Sequence, residues 1–420
     1  MTLIKTSLLS GIAVLIKILT LLGINKILAI YVGPTGYAAI GQFQNALQMI
    51  TTFASGAINT GVTKYTAEYQ SDVEKQIKVW RTAGTIAISG SIVTGLLVAV
   101  FSKELASWFL NDESLSGVFI WFALTLVFFI LNTLLLAILN GKKEIYLYVL
   151  ANIVGSIFSL FLTCVMAVKY GLYGALVALS IYQSLAFFVT LYICYRTTWF
   201  RFDHLFGALD RESVLNLAKY TAMALTSAAC VPVSHILVRN HLGETLGWNV
   251  AGYWEATWRL SGAYLMLITT TLSVYYLPRL SELRFLKDIK HEILLGYKII
   301  LPMTAFIGVT VYLLRDLIIE ILFTKDFSPM RELFAWQLLG DTLKIGSWIL
   351  AYLMLGKAMV KTFIFTEIVF CFVFYLAVVV LTGKFGFVGV AMAHVFTYAL
   401  YWPVVAIAVL KVGNRDSIFI

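Results

Sequence analysis

Ionisable side chains interrupt long apolar stretches of this 420-residue chain at several places. Lys17 stands in the first stretch, Glu255 and Arg259 four apart in the eighth, and Asp341 and Lys344 three apart in the tenth. Glu367 and His394 fall in the eleventh and twelfth. A charge at the centre of a membrane helix costs roughly 2.5–3.5 kcal/mol on insertion scales, so such residues face a protein interior or a wet cavity. Lys17 lies about 18 Å along its helix from Lys5, at about 1.5 Å per residue, with no acid beside it in sequence. That suits a cavity or substrate role, or pairing with a distant acid such as Glu367. Asp341 with Lys344, and Glu255 with Arg259, have the spacing of neighbours on one helix face. They either neutralise each other or meet a charged substrate. His394 alone reads as a hydrogen-bonded core residue. Gln48 and Asn132 add amides in the second and fourth stretches, and Pro232, followed by the polar His235, is the best candidate for a hinge. Lys26, Lys219, Arg239 and Lys298 sit near stretch ends and read as anchors that reach the membrane surface.

The elements that hold these residues follow from composition. The chain is 60% hydrophobic and only 13% charged, with a mean hydropathy of +0.88. A soluble domain carries roughly 25% charged residues. Segments of about 20 apolar residues, long enough to cross about 30 Å of hydrocarbon, recur throughout. They fall near 3–30, 38–62, 80–101, 116–139, 145–168, 172–195, 214–238, 249–276, 293–314, 331–355, 358–382 and 387–410. The expected fold is therefore an all-α polytopic membrane protein of about twelve transmembrane helices. The first segment carries Lys17 and runs too long for a signal-peptide core, so it reads as a transmembrane helix.

An internal echo divides the twelve into two sets. Lys169-Tyr170-Gly171-Leu172-Tyr173-Gly174 returns as Lys384-Phe385-Gly386-Phe387-Val388-Gly389, and Gly141-Lys142 returns as Gly356-Lys357. Gly36-Tyr37 returns as Gly252-Tyr253, and Lys103-Glu104-Leu105 as Arg315-Asp316-Leu317. Two six-helix lobes are expected, over 1–205 and 206–420. An even number of helices per repeat makes both copies cross in the same sense, related by an axis along the membrane normal. Lys and Arg outside the spans are more than twice as frequent on the side of the N-terminus and the even-numbered connections as on the other. Excess basic charge marks the cytoplasmic side, which puts both termini there. The net charge of +9 is thus mostly topology; it is dispersed over short stretches, not gathered on one face, so no nucleic acid is expected as a partner.

Catalytic and metal motifs are not found. The glycine of a phosphate-binding loop is Leu136 before Gly141-Lys142 and Ala351 before Gly356-Lys357, and His291-Glu292 lacks the second histidine of a zinc helix. The four cysteines, Cys164, Cys194, Cys230 and Cys371, have no ligand spacing and read as packing residues. Neither a cofactor nor a metal is implied.

Several stretches together resemble the Wzx flippases of Gram-negative bacteria. They are Lys17 and Lys26 around Ile30-Tyr31-Val32-Gly33-Pro34-Thr35-Gly36, Gly61-Val62-Thr63-Lys64-Tyr65, Ser273-Val274-Tyr275-Tyr276-Leu277-Pro278 and the run from Met330 to Lys344. The similarity runs end to end, and the stretch from Arg331 to Lys344 is its most specific part. Lys17, Lys26, Lys64, Lys219, Arg239, Asp341 and Lys344 match charged positions of the subgroup that moves the enterobacterial common antigen unit. The eighth span departs from it: Glu255 and Arg259 stand at uncharged positions and Gly262 replaces an acid, so an O-antigen unit stands beside the common-antigen unit as the implied glycan. The resemblance implies the multidrug/oligosaccharidyl-lipid/polysaccharide exporter fold, with two lobes around a central cavity. It implies an inner-membrane protein that moves an undecaprenyl-diphosphate-linked oligosaccharide between leaflets of the lipid bilayer. A repeat-unit polymerase and a chain-length regulator are the implied protein partners.

On that reading Lys17, Arg259 and Lys344 replace the hydration of the diphosphate by charge-assisted hydrogen bonds, with Gln48 and Asn132 beside them. Asp341, Glu255, Glu367 and His394 balance charge or couple transport to an ion. Two other classes compete. A cation-coupled drug exporter of the same superfold predicts an acid-dominated cavity, and a membrane-embedded polymerase or glycosyltransferase predicts a large outer loop with catalytic polar residues.

Overall fold

The computed structural model describes the backbone of residues 3–283, 285–357 and 359–413; the side chains of Lys5 and Lys219 lie outside the described residues. Its elements are helical. They are α1 (Leu3–Tyr31), α2 (Gly33–Ser55), α3 (Asn59–Glu68), α4 (Val73–Val100), α5 (Ser102–Leu110), α6 (Ser116–Gly141), α7 (Ile145–Tyr195) and α8 (Arg211–Thr245). Then follow α9 (Trp248–Thr271), α10 (Leu277–Glu282), α11 (Leu286–Leu313), α12 (Arg315–Leu322), α13 (Phe334–Gly356), α14 (Val360–Phe385) and α15 (Gly389–Gly413). Among the described residues, seven helical stretches are long and apolar enough to cross a membrane by the composition of one continuous window, and two of these, Ile145–Tyr195 and Val360–Val409, are about twice the length one crossing needs. The chain is a multi-pass membrane protein. α2, α8 and α9 are long enough to cross but more polar, because they carry the amide and charged residues singled out above.

Glycine divides the two double-length stretches at equivalent places. Gly171 has φ 55° and ψ −132°, and Gly386, 215 residues on, has φ 60° and ψ −141°. A side chain is rarely tolerated at such φ, so glycine is the residue that lets the chain turn there. After each turn the backbone closes tightly on itself. A Cβ on Gly174 would lie 2.0 Å from the Met166 carbonyl oxygen, and one on Gly389 2.3 Å from that of Leu381. α7 is therefore two limbs, 145–170 and 172–195, and α14 with α15 forms the corresponding pair. Packing repeats as well: α4 lies on α6 as α11 lies on α13, and the short α5 and α12 follow α4 and α11.

The second apolar segment differs from its expected bounds of 38–62. α2 starts earlier because Pro34 occupies its first turn, where a missing N–H costs nothing. It ends earlier because Gly56 and Ala57 take positive φ, after which α3 begins a new helix. The linker after α7 ends on a cap: the Asp210 carboxylate accepts from the Ser213 amide at 2.8 Å and its hydroxyl at 2.7 Å, opening α8.

By packing, the chain forms two compact units. The first comprises Met1–Val32 and Ala39–Pro232, the second Gly33–Ala38 and Val233–Ile420. The division falls directly after Pro232, inside the continuous helix α8. Around the second unit's core, Trp254, Val238, Ala251, Ala38 and Val390 are fully buried.

Candidate functional site

In the first unit, the turn at Gly171 lays the two limbs of α7 beside each other, and α1 and α6 pack on them. A cavity of about 200 Å³ opens among these helices. Lys17 and Thr20 reach it from α1, Asn132 from α6, Asn152 and Ser156 from the first limb of α7, and Tyr182 and Gln183 from the second. The residues that line it include no Asp or Glu. The Lys17 ammonium makes no ion pair or side-chain hydrogen bond among the described residues, and the side chain is exposed. Asn132 is 2% exposed; its amide nitrogen donates to Gln183 Oε1 at 2.6 Å, and Gln183 Nε2 donates to the Tyr182 hydroxyl at 3.2 Å. Asn132 Oδ1 is buried without a partner. The cavity thus offers a free cation, a hydroxyl and an unused acceptor. Gln48 is exposed on α2 and is not among the cavity's lining residues.

The second unit holds two buried charge clusters. Glu255 on α9 bridges two guanidiniums: Arg239 Nε donates to Oε2 at 3.0 Å and Arg259 Nε to Oε1 at 2.9 Å. The expected pairing of Glu255 with Arg259 is present. Arg239, read from its position as a surface-reaching anchor, is instead 1% exposed. One turn of helix separates it from the polar His235, and a carboxylate on the neighbouring helix α9 satisfies it, which the position of a span end in sequence does not reveal. Arg259 also lies 5.4 Å from the ring centre of Tyr37, and Arg239 5.7 Å from that of Trp254.

The second cluster centres on Asp341, which is 1% exposed. Its Oδ1 meets His394 Nε2 at 3.0 Å and accepts from Gln337 Nε2 at 3.3 Å; its Oδ2 accepts from the Ser261 hydroxyl at 2.7 Å and from the Tyr264 hydroxyl. The same-helix pairing of Asp341 with Lys344 is not formed. Four groups from α9, α13 and α15 fill the carboxylate instead, and His394 proves to be a hydrogen-bonded interior residue. Lys344 turns to aromatic faces, with Nζ 4.6 Å from the ring centre of Trp258, 4.8 Å from Trp348 and 6.0 Å from Tyr398. Asp341 and Glu367 are the acids whose charge reaches it, yet it forms a salt bridge with neither. Trp258 stands between the rings of His235 and His394, 4.5 Å and 5.0 Å away. Reasoning from sequence missed this aromatic cage and the Ser261, Tyr264 and Gln337 donors; the only signal was a density of Trp and Tyr in apolar segments.

No group of three or more metal-ligating side chains occurs among the described residues. The cavity of the first unit brings together a cation, Lys17, and the amides of Asn132, Asn152 and Gln183.

Comparison with known proteins matches the chain to a family, to a relative and to two solved structures. Residues 3–284 match the family described as polysaccharide biosynthesis protein. The chain is 30% identical over 402 residues to the lipid III flippase of Escherichia coli (strain K12), a match covering 96% of this chain and 97% of that one. Among solved structures it resembles the inward-facing conformation of a multidrug resistance MATE family transporter of the MOP superfamily, at TM-score 0.76 and 14% identity over 95% of this chain and 96% of that one. It also resembles the lipid II flippase MurJ in an inward closed conformation, at TM-score 0.74 and 14% identity over 99% of this chain and 90% of that one. At such identity these two structures speak to fold alone.

Proposed function

Because this chain belongs to the polysaccharide biosynthesis protein family, we propose that it is a flippase, not an enzyme, moving undecaprenyl-diphosphate-linked oligosaccharide units across the bacterial inner membrane. The unit carried is an O-antigen or enterobacterial common antigen unit, and movement is from the cytoplasmic to the periplasmic leaflet by alternating access. The two six-helix repeats, 1–205 and 206–420, act as the lobes. The bias of basic residues puts both termini in the cytoplasm. A repeat-unit polymerase and a chain-length regulator would take up the exported unit.

The observation that carries this reading is the Lys17 ammonium, unpaired in a cavity lined by hydroxyls and amides and by no acid. A diphosphate cannot enter hydrocarbon with its charge bare, and an ammonium replaces part of its water through charge-assisted hydrogen bonds. The polyprenyl tail stays in lipid while the headgroup passes. Lys344 supplies a second cation that no carboxylate neutralises by contact. Arg259 is buried against Glu255 and Tyr37, so its part belongs to another stage of the cycle. Asp341, Glu255, Glu367 and His394 balance these charges, and α8 bends at Pro232. A cation-coupled drug exporter would call for carboxylates where this cavity has Lys17, Asn132 and Gln183.

Replacing Lys17 by Ala tests the reading. Lipid-linked units should accumulate on the cytoplasmic face of cells that depend on this chain for export. Undiminished surface glycan at normal protein levels would refute it.

A further inference from the structure

The cavity of the first unit holds two unmet hydrogen-bonding groups of opposite kind. Lys17 Nζ is a donor without an acceptor, and Asn132 Oδ1 is a buried acceptor without a donor. In the structure Gln183 donates to the Tyr182 hydroxyl and accepts from the Asn132 amide, which leaves the Asn132 oxygen as the acceptor without a donor. Two other polar groups of the wall are engaged: the Asn152 amide donates to Tyr148 O at 2.8 Å and the Ser156 hydroxyl to Asn152 O at 2.8 Å. A buried acceptor left unpaired is costly, so a ligand that brings a donor to it gains what one without it forgoes.

Resting on the flippase reading, we infer that this cavity is a specificity subsite for a glycosyl phosphate. Lys17 takes the phosphate, and Asn132 Oδ1 accepts from a hydroxyl or amide N–H on the carbon next to the anomeric centre. Size and chemistry lead to this assignment. A cavity of about 200 Å³ is large enough for one sugar ring with part of its phosphate. With the phosphate on Lys17, the substituent at C2 is the donor that follows it most closely in the molecule. Asn132 is therefore a specificity-determining residue, and Gln183 a positioning residue that holds the Asn132 amide with its oxygen toward the ligand. The first sugar would be selected by its C2 donor, whatever residues follow it along the glycan.

The full chain in detergent would be titrated with glucose 1-phosphate and with 2-deoxyglucose 1-phosphate, following binding by ligand-observed NMR. The wild type should bind the first about tenfold more tightly, the worth of a hydrogen bond to a buried acceptor. Asn132→Leu should bind both equally, at the level of the deoxy compound, with its thermal midpoint recorded to confirm that the protein is folded. A purely structural role for Asn132 would weaken both probes alike and keep the discrimination. Equal binding by the wild type, no binding of either probe, or discrimination that survives in Asn132→Leu would each overturn the subsite. Intact export with any of these results sinks the subsite alone, whereas intact export in Lys17→Ala sinks the flippase reading beneath it.

Discussion

Thr35 and Asn249 stand 214 positions apart and are joined side chain to side chain, Thr35 Oγ1 donating to Asn249 Oδ1 at 2.6 Å. Each lies two residues after a glycine of positive φ, Gly33 at 68° and Gly247 at 102°, where the second helix of its repeat begins. The segment Gly33–Ala38 packs with the second unit, and Tyr37 is buried with its ring 5.1 Å from Phe327 and 6.1 Å from Phe323, beside Arg259. Alternating access requires a piece of the first repeat held this way to be let go. A chain carrying Thr35→Cys and Asn249→Cys should lose export when the two thiols are oxidised to a disulfide and recover it on reduction. Cross-linked protein, verified on a non-reducing gel, that still exports would show that this contact need not open.

The Arg239–Glu255–Arg259 cluster carries its own consequence. Removing one partner of a buried ion pair leaves an uncompensated charge and costs about 3–5 kcal/mol. Glu255→Gln leaves two guanidiniums facing a neutral amide, with Glu255 itself buried at 6% exposure. Its thermal unfolding in detergent should shift down accordingly. A midpoint equal to the wild type would mean that the cluster contributes little to the native fold.

The repeat makes a prediction about two glycines at once. A methyl group on Gly174 or Gly389 would press into a backbone carbonyl at 2.0 Å or 2.3 Å, and backbone cannot swing aside as a side chain can. Gly174→Ala and Gly389→Ala should each destabilise the protein by several kcal/mol, on the order of the overpacking penalty of about 1–3 kcal/mol or more. Detergent melting curves of the two variants decide it; full stability of either would contradict the tight turn on that side.

Outside the membrane, the Asp210 cap links stability to pH. The Ser213 hydroxyl and amide hold its carboxyl below the ordinary range. A carboxyl lowered in the fold stabilises it above its unfolded value of about 3.9 and loses that effect as pH falls through the folded value. Asp210→Ala should cost about 1 kcal/mol at neutral pH, and the difference from wild type should vanish in strong acid. A difference unchanged by pH would exclude the carboxylate as its source.

Hydropathy and the 215-residue echo disclosed the helices, because each crossing must be apolar over its own length and each turn between limbs needs a glycine such as Gly171 or Gly386. Glu255 with Arg259 was legible because partners four apart on one helix meet wherever the helix goes. Asp341 was not, since the groups that fill its carboxylate come from Ser261, Tyr264 and His394 on other helices, and sequence spacing says nothing of which helices touch. Of the two readings of Lys344, the pair with Asp341 suggested by their three-residue spacing is not formed, because Trp258, on a different helix, supplies a competing face. Lys17 and Asn132 were both named from sequence, but their meeting in one cavity depends on the fold-back of α7, and Gln48 did not join them.

Lys17 decides the account. Leaflet-resolved labelling of undecaprenyl-linked oligosaccharide units should be done in cells whose sole exporter is either this chain or its Lys17→Ala variant, at matched protein levels. The account predicts units stranded on the cytoplasmic face and surface glycan lost in the variant. An unchanged leaflet distribution would contradict it.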